Sequence, residues 1–323
     1  MPSLLVVRPS SLGDIVYALA LVSDVVNHDP SMTIDWVAEE AFVPLVQLDS
    51  RVRRVVPIAF RRWRNSPLAA ATWRELARFR RDLREKTYTV VLDMQEQVKG
   101  ALVARMANGE RHGFDRHSIR EPLASLLDDV HHAVPRNIHF VDKCRALCGA
   151  ALGYAVVGQP RWNLASPASA ASTPATRYAI AFHSTSRADK LWPEDLWRSL
   201  FARFAQQGMV TLVPWGNADE RARSRRLAAD SPSTIVPERQ SLPELAALVE
   251  RAERVVGVDT GLTHLAAVIG TPTVAIFTAT DPRLAGVART GPHAIDVGGN
   301  EDIPTLAEVI AAADTAGRGS PRC

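Results

Sequence analysis

An acidic side chain stands at a turn near the start of the chain. The segment Arg8-Pro-Ser-Ser-Leu-Gly-Asp14 follows a short apolar run, Leu4–Val7, and a helical pattern begins at Ile15. Gly13 lets backbone approach a ligand closely. Asp14 has two possible roles: a helix N-cap, which Asp favours, or a general base that takes a proton from an attacking hydroxyl. The roles exclude each other at the moment of proton transfer, and the pattern leaves both open.

Two segments of the second half have residue types that bind anions. In His183-Ser-Thr-Ser-Arg-Ala-Asp-Lys190, hydroxyls and a cation follow an apolar run and precede a helix, as phosphate binding requires. A surface Lys before a Pro-started helix is nevertheless common. In Val255-Val-Gly-Val-Asp-Thr-Gly-Leu-Thr-His264, an apolar run ends in Asp259-Thr260-Gly261 where a helix starts, and free N–H groups there form an anion site. His264 lies one turn further along, although a lone His is more often packed and Asp259 could be only a cap.

A third segment, Pro214-Trp-Gly-Asn-Ala-Asp-Glu220, also follows an apolar run. Trp215 could form the wall of a base pocket, and Glu220 could bind sugar hydroxyls. A core position for Trp215 is equally compatible with the pattern.

Basic residues are concentrated in one part of the first half. The whole chain carries a net charge of +3, but from Arg51 to Lys86 twelve Arg and Lys stand against three acids, a net +9. Such a segment predicts an anionic partner. Arg61-Arg-Trp-Arg64 follows a predicted strand rather than lying on a helix, which favours ligand contact, whereas Arg80 and Arg81 fit the solvated face of a helix.

Several common catalytic motifs are missing from the sequence. It has no Gly-x-Gly-x-x-Gly after a strand and no Gly-x-x-x-x-Gly-Lys-Ser/Thr, which disfavours dinucleotide enzymes and ordinary NTPases. It also lacks His-Glu-x-x-His, a Cys-x-x-Cys pair and a Gly-x-Ser-x-Gly elbow. With no Asp-x-Asp triplet either, we expect no metal and no cofactor.

The elements that must position these residues alternate between short apolar runs and longer helical patterns, which is typical of parallel α/β domains. In the first half, the pattern predicts strands at Leu4–Val7, Ile34–Val37, Val52–Pro57 and Thr89–Asp93. It predicts helices at Ile15–Asn27, Ala71–Lys86, Val98–Ala107 and Asn137–Leu152. In the second half, the pattern predicts strands at Tyr178–Phe182, Val210–Val213, Val255–Val258 and Thr273–Phe277. It predicts helices at Pro193–Gln207, Glu220–Ala229, Leu242–Arg251 and Leu262–Ile269. We therefore expect two Rossmann-like sheets.

A stretch of small and proline residues, Ala165–Thr176, separates the two halves and reads as a linker. The chain is also long enough for two domains. We predict domains of residues 1–165 and 166–323, with ligands in a cleft between the carboxyl ends of their sheets. The N-terminus lacks the pattern of a signal peptide and no apolar run approaches the ~20 residues of a spanning helix, so we expect a cytoplasmic protein.

Taken together, three motifs resemble those of the ADP-heptose:lipopolysaccharide heptosyltransferases, over nearly the whole chain: Ser10-Ser11-Leu12-Gly13-Asp14, Thr185-Ser186-Arg-Ala-Asp-Lys190-Leu-Trp-Pro193 and Asp259-Thr-Gly-Leu-Thr-His264. Four further segments resemble the members that add the first heptose rather than the second: Asp35-Trp-Val-Ala-Glu-Glu40, Arg61-Arg-Trp-Arg64, Arg120-Glu-Pro-Leu-Ala-Ser125 and Pro214-Trp-Gly216. This resemblance implies a GT-B fold.

The resemblance also implies roles for individual residues. It implies that Asp14 is the base and that Lys190, the Asp259-Thr260-Gly261 turn and His264 hold ADP-heptose. Thr185, Ser186 and Glu220 would line the same donor site. Acceptor contacts would come from Ser10, Ser11, Gly13, Arg61, Arg62, Arg64 and Arg120, which would meet Kdo on lipid A.

The sequence departs from the family pattern at two places. Gln95-Glu96-Gln97 stands where the resemblance leads us to expect Gln-Gly-Leu after the fourth strand, and Asn65 stands where a Lys would follow the arginines. Both departures lie on the predicted acceptor side.

We interpret the chain as an inverting glycosyltransferase that moves heptose from ADP-heptose to the Kdo of Kdo-lipid A, with Asp14 and Lys190 as catalytic residues. It would work as a peripheral protein on the cytoplasmic face of the inner membrane, without nucleic acid. The alternatives are transfer of the second heptose, a nucleotide-sugar epimerase of the same architecture, and a non-catalytic protein that binds nucleic acid or lipid through its arginines.

Overall fold

The computed structural model describes residues 1–165 and 176–317 and divides into two compact units, Met1–Ala165 and Ser166–Cys323. Most of the predicted linker, residues 166–175, lies outside the described residues. Each unit contains a six-stranded parallel sheet with helices, so the α/β class predicted from the alternating pattern is confirmed.

Unit 1 is built on strands in the order β3-β2-β1-β4-β5-β6. The strands are β1 Ser3–Val7, β2 Thr33–Glu39, β3 Val52–Ile58, β4 Thr87–Asp93, β5 Asn108–Phe114 and β6 Val130–His132. The helices are α1 Leu12–Ala18, α2 Ala20–His28, α3 Val43–Val46, α4 Phe60–Asn65, α5 Ala70–Leu83, α6 Val98–Ala104 and α7 Phe140–Leu152, with 3-10 turns at Glu40–Phe42 and Pro122–Leu127. The chain order reverses at β1 and β4, whose carboxyl ends form the switch point where such sheets bind ligands.

Unit 2 repeats the arrangement with the order β12-β11-β10-β7-β8-β9. Its strands are β7 Tyr178–Phe182, β8 Val210–Leu212, β9 Thr234–Ile235, β10 Arg254–Val258, β11 Thr273–Phe277 and β12 Ala294–Gly298. Its helices are α8 Glu194–Gln206, α9 Ala218–Ala228, α10 Leu242–Arg251, α11 Gly261–Ile269, α12 Pro282–Ala285 and α13 Leu306–Gly317, with 3-10 turns at Ala188–Lys190 and Ala288–Thr290.

The structure corrects two local predictions in unit 1. The single helix predicted at Ile15–Asn27 is two helices that meet at Leu19, where the backbone stays in the right-handed helical region. The arginine cluster lies on the short helix α4 rather than in a loop. Phe60 and Trp63, three residues apart and therefore on one face of a helix, pack on the core of unit 1. This packing favours the helical state of an otherwise polar segment.

Buried tryptophans in unit 2 fix the loop that follows β7. Trp192 is fully buried, meets Trp197 edge-to-face at 5.1 Å and donates its indole N–H to Pro304 O at 2.9 Å. Because burying a large aromatic side chain contributes about 3–5 kcal/mol, this anchor holds the chain two residues after Lys190.

Candidate functional site

The predicted donor residues of unit 2 follow four neighbouring strands of one sheet. β11, β10, β7 and β8 are adjacent and parallel, so their carboxyl ends lie at the same edge. The segments that leave this edge are 278–281, 259–264, 183–190 and 213–220. The sheet order thus brings the predicted loops to one side of unit 2.

Asp259 is the centre of a cluster of side chains at this edge. Its Oδ2 accepts hydrogen bonds from Lys190 Nζ and Thr280 Oγ1, both at 2.6 Å. Its Oδ1 lies 3.2 Å from His264 Nε2, and its carbonyl oxygen accepts from Thr185 Oγ1 at 3.2 Å. The structure therefore brings together Thr185, Lys190, Asp259 and His264, which the sequence analysis had assigned to one site.

The electrostatics of the cluster favour the ionised carboxylate. Burial by itself would raise the pKa of Asp259, but the contacts with His264, Lys190 and Thr280 outweigh it and hold that pKa well below its ordinary value. Lys190 is thereby paired with a carboxylate, but an ammonium group has three donors, and the others can reach an incoming phosphate oxygen.

The start of α11 supplies backbone donors to the same place. Thr260 is the N-cap residue in extended conformation, and its side chain makes no capping hydrogen bond. The cap side chain therefore leaves the N–H groups at the start of the helix unsatisfied, although Thr263 N bonds Thr260 O at 3.0 Å. Binding of an anion at this helix start stays a prediction. Thr263 Oγ1 bonds back to Val258 O at 2.8 Å and fixes the turn between strand and helix.

The loop after β7 is held by a buried histidine. His183 is fully buried, with Nε2 2.8 Å from Ser224 Oγ and Nδ1 2.7 Å from Ser184 Oγ. Burial and the nearby Arg223 guanidinium lower the pKa of His183 to about 4, so it is neutral near pH 7. Ser186, further along this loop, is exposed.

Glu220 stabilises the turn that leads into α9, whose N-cap is Asn217. It is the third residue of α9; its carboxylate accepts from Gly216 N at 2.6 Å and from Asn217 Nδ2 at 2.8 Å. Trp215 is half-buried, donates to Pro237 O at 2.9 Å and has the Arg221 guanidinium over its ring at 4.7 Å. The Trp215 ring is thus neither part of the buried core nor without contacts. Glu220 stabilises the turn that follows Trp215.

Sequence reasoning missed two hydroxyls of this cluster. Thr280 binds Asp259, and Thr278 Oγ1 donates to Asp189 O at 2.6 Å, just before Lys190. A signal was present, because both residues follow the predicted strand Thr273–Phe277 and strand ends were where the other motifs were found.

Asp14 in unit 1 occupies the third position of α1, and Ser11 is the N-cap. Asp14 Oδ2 accepts from Ser11 N at 2.9 Å and Ser11 Oγ at 3.0 Å, and it pairs with Arg8 Nη2 at 2.8 Å. Burial opposes ionisation, but Arg8 and Ser11 outweigh it, and the pKa of Asp14 is lowered. The predicted N-cap role is therefore wrong in detail: Asp14 is the reciprocal carboxylate of the cap.

Arg8 links Asp14 to the neighbouring strand. Its side chain is 5% exposed, donates to Met94 O after β4 and lies over the Phe140 ring at 4.9 Å. The side chain of Asp14, by contrast, is 37% exposed and accessible to a substrate. An ionised carboxylate that is partly open to solvent is able to accept a proton from a bound hydroxyl.

The other predicted acceptor residues differ in their contacts. Arg62 is bound by Glu40 at 3.1 Å and Glu75 at 2.7 Å, and Arg61 lies over the Phe42 ring at 5.2 Å. Arg64 and Arg120 are exposed and form no ion pair with the residues that the structure describes. Ser10 N lies 3.4 Å from Gln95 Oε1, and Ser11 and Gly13 are in the turn that presents Asp14.

The departure from the family pattern at Glu96 lies in the turn after β4. Glu96, where a Gly was expected, has a φ of 61°, in the left-handed region that favours glycine. Its carboxylate pairs with Lys143 on α7, and both residues are buried. Next to it, burial and the nearby Asp128 carboxyl raise the pKa of Asp93 to about 8.

Residues 1–165 and 176–317 contain neither a cluster of metal ligands nor a helix that could span a membrane. No group of three or more His, Cys, Asp or Glu among them is arranged to hold a metal ion. None of their helices combines the length and apolar character needed to cross a bilayer.

Comparisons with known proteins place these features in context. The model of glycosyltransferase family 9 (heptosyltransferase) matches residues 76–308. Lipopolysaccharide heptosyltransferase 1 of Escherichia coli K12 is 37% identical over 292 residues, 87% of this chain and 89% of that protein. The Pseudomonas aeruginosa protein of the same name is 37% identical over 286 residues, 87% of this chain and 80% of its own length.

A solved structure is similar along the full length. The E. coli heptosyltransferase WaaC with ADP has a TM-score of 0.88 at 33% identity, and the match covers 98% of this chain and 100% of that one. The same enzyme with ADP-2-deoxy-2-fluoro heptose gives a TM-score of 0.84.

Proposed function

This chain belongs to glycosyltransferase family 9, the heptosyltransferases, and we propose that it transfers L-glycero-D-manno-heptose from ADP-heptose to the Kdo of Kdo-lipid A. It is a glycosyltransferase with the GT-B fold of its structural neighbours. The observation that carries the proposed donor is the cluster around Asp259, where a lysine, two threonines and a histidine meet the start of a helix. The related enzyme that shares this fold was solved with ADP.

In unit 2 the pyrophosphate of the donor binds at the start of α11. Backbone N–H groups of α11 and the ammonium of Lys190 face its oxygens, while Asp259 holds Lys190 in position. Because negative charge grows on the leaving ADP, Lys190 interacts more strongly in the transition state than in the bound substrate, and this difference lowers the barrier. The scheme uses no metal ion.

In unit 1 the acceptor hydroxyl is activated by Asp14. The carboxylate takes the proton as the Kdo oxygen attacks the anomeric carbon, the bond to ADP breaks, and the sugar inverts. The buried guanidinium of Arg8 keeps Asp14 ionised and orients it before the acceptor arrives. Arg61, Arg64 and Arg120 supply cations for the carboxylate and phosphates of the acceptor.

The alternatives receive less support. A structural match to a UDP-N-acetylglucosamine 2-epimerase from Listeria monocytogenes has a TM-score of 0.51 at 10% identity, which concerns the fold alone. The solved heptosyltransferase II of E. coli is 19% identical, against 33% for WaaC. Family membership disfavours a non-catalytic binding protein. We place the proposed activity at the cytoplasmic face of the inner membrane.

The decisive experiment is a transfer assay with purified protein, ADP-heptose and Kdo-lipid A in detergent, read by mass spectrometry. We expect the acceptor to gain one heptose and ADP to appear in equal amount. ADP-heptose alone should stay unchanged; conversion of its sugar without an acceptor would identify an epimerase. Transfer only to an acceptor that already carries one heptose would identify a second-heptose enzyme and contradict the proposal.

A further inference from the structure

A groove with an apolar floor and a basic rim opens on the outer side of α5 and α6. Its volume is about 540 Å³, and Trp73, Leu76, Leu102 and Met106 form its apolar part. Arg80, Arg84 and Arg105 line it from the same two helices and their ends. We call this surface the α5–α6 face.

The apolar side chains of this face are unusually exposed for a folded domain. Trp73 is 60% exposed and Leu102 48% exposed, and Leu68, just before α5, is 92% exposed. Leu123 and Leu126, exposed at 70% and 76%, belong to the 3-10 turn Pro122–Leu127, which contacts α6. Single exposed leucines need no explanation, but an exposed Trp and an exposed Leu that line one apolar groove are typical of a binding surface.

The charge of the α5–α6 face has one sign. A second, polar groove shares Arg84 and Arg105 with the first and also contains Arg111, whose charge is paired with Asp129. No carboxylate is among the described residues that line either groove. Arg80 and Arg105 form no ion pair with any described residue, so their charge is directed to solvent.

We propose that the α5–α6 face docks unit 1 on a bilayer that contains anionic phospholipids. Arginine heads bind lipid phosphates while their stems cover apolar surface, and Trp and Leu side chains enter the boundary between headgroups and acyl chains. This inference rests on the proposed function, since an enzyme whose acceptor is a lipid must meet it at a membrane. It adds the surface through which that meeting occurs.

Two other occupants fit the face less well. A second copy of the chain, related by a two-fold axis, would bring arginines against arginines with no carboxylate between them. A nucleic acid would use the arginines and the Trp73 ring, but it would leave the leucines exposed.

The face is also joined to the predicted acceptor arginines. Arg62 Nη1 bonds Glu75 at 2.7 Å, and Trp63 Nε1 donates to the same carboxylate at 2.7 Å, so α4 is tied to α5. Docking through α5 would therefore keep α4, which carries Arg61 and Arg64, close to the bilayer.

The test is partition of the whole protein onto vesicles that contain no lipid A. Vesicles of phosphatidylcholine mixed with phosphatidylglycerol are compared with vesicles of phosphatidylcholine alone, by sedimentation. Two variants change the two components of the face: Trp73→Ser with Leu102→Ser, and Arg80→Gln with Arg105→Gln. The matched controls, Val157→Ser with Ile303→Ser and Arg203→Gln with Arg225→Gln, change equally exposed residues elsewhere.

We expect wild type and both controls to bind the anionic vesicles, and each face variant to lose about ten-fold or more in partition. Transfer to a detergent-dispersed acceptor should be unchanged in the face variants, which also shows that they fold. Equal vesicle binding by wild type and face variants, or none by wild type, would overturn the proposal.

Other measurements identify the other occupants. A face variant with a lower molecular mass in solution than wild type, by light scattering, would assign the face to a second copy of the chain. Loss of RNA binding in the face variants would assign it to nucleic acid. If neither wild type nor any variant transfers heptose, but the face variants bind anionic vesicles less than wild type, the proposed function fails while the docking surface stands.

Discussion

Asp14 is the residue whose replacement tests the chemistry most directly. Asp14→Asn keeps an acceptor for the Ser11 N–H but removes proton acceptance, so we expect turnover to fall about 100-fold or more while ADP-heptose affinity stays within a few-fold. The lost ion pair with Arg8 should cost about 1–2 kcal/mol of stability, because the carboxylate is partly exposed. Steady-state kinetics and thermal unfolding measure the two effects separately.

Asp24→Asn is the matched control for that variant. Asp24 binds the buried Arg145 through two hydrogen bonds, at 2.7 and 2.9 Å, in the same unit but away from the turn that holds Asp14. It should lose stability without a comparable loss of turnover. Normal turnover by Asp14→Asn, or an equal loss in both variants, would contradict the general-base role.

Lys190 is the residue that tests the donor site. Lys190→Ala should weaken ADP-heptose binding and lower kcat together, since an ammonium beside the pyrophosphate gains interaction energy as charge develops. Arg203→Ala removes an exposed cation from α8, outside the loops of the donor site, and should leave both parameters near wild type. Donor kinetics of Lys190→Ala equal to those of this control would return Lys190 to a structural role.

At the scale of elements, the turn between β4 and α6 depends on a contact with α7. Glu96 adopts a left-handed backbone, which costs about 1–3 kcal/mol in a residue with a side chain, and its ion pair with the buried Lys143 offsets that cost. Glu96→Gly relieves the backbone but leaves Lys143 buried without its carboxylate, a loss of about 3–5 kcal/mol. We therefore expect net destabilisation in denaturant unfolding.

The double variant Glu96→Gly with Lys143→Met separates the two effects. It removes the strained backbone and the unpaired charge together, so it should recover most of the stability that Glu96→Gly loses. A single variant that is more stable than wild type would show that the ion pair does not compensate for the backbone conformation.

At the scale of the whole molecule, donor and acceptor are assigned to different units. Arg61→Ala with Arg64→Ala should raise the acceptor KM about ten-fold or more and leave ADP affinity nearly unchanged. Each contact of a guanidinium with a charged group contributes about 1.5–3 kcal/mol when desolvated and much less when exposed. Kinetics with varied acceptor and calorimetric titration with ADP provide the two measurements.

The control for the arginine pair lies in unit 2. Arg203→Ala with Arg225→Ala removes two exposed cations from α8 and α9 and so produces the same change in net charge. An equal rise in acceptor KM in this control would make the effect one of general charge. Loss of ADP binding by Arg61→Ala with Arg64→Ala, with acceptor kinetics intact, would reverse the assignment of the two sites.

The amino-acid sequence by itself determined the α/β class, the central strands and the segments that bear chemistry. Apolar runs of four or five residues followed by polar turns are local patterns, and they mark buried parallel strands and the residues at their carboxyl ends. Strands such as β6 and β9, with three and two residues, were missed because so short an edge strand has no period to detect. The polar β5, Asn108–Phe114, was missed because it lacks an apolar run.

Only the tertiary structure decided which side chains meet. Lys190 and Thr280 reach Asp259 from 69 and 21 residues away because the sheet order places β7 and β11 on either side of β10. The helical state of the arginine segment depends on packing of Phe60 and Trp63 against the core, and the left-handed Glu96 depends on Lys143, 47 residues away. Contacts between residues so far apart in the chain leave no periodic pattern in the local sequence. The sequence therefore shows which segments carry the functional side chains, while the packing of the sheets determines which of those side chains meet.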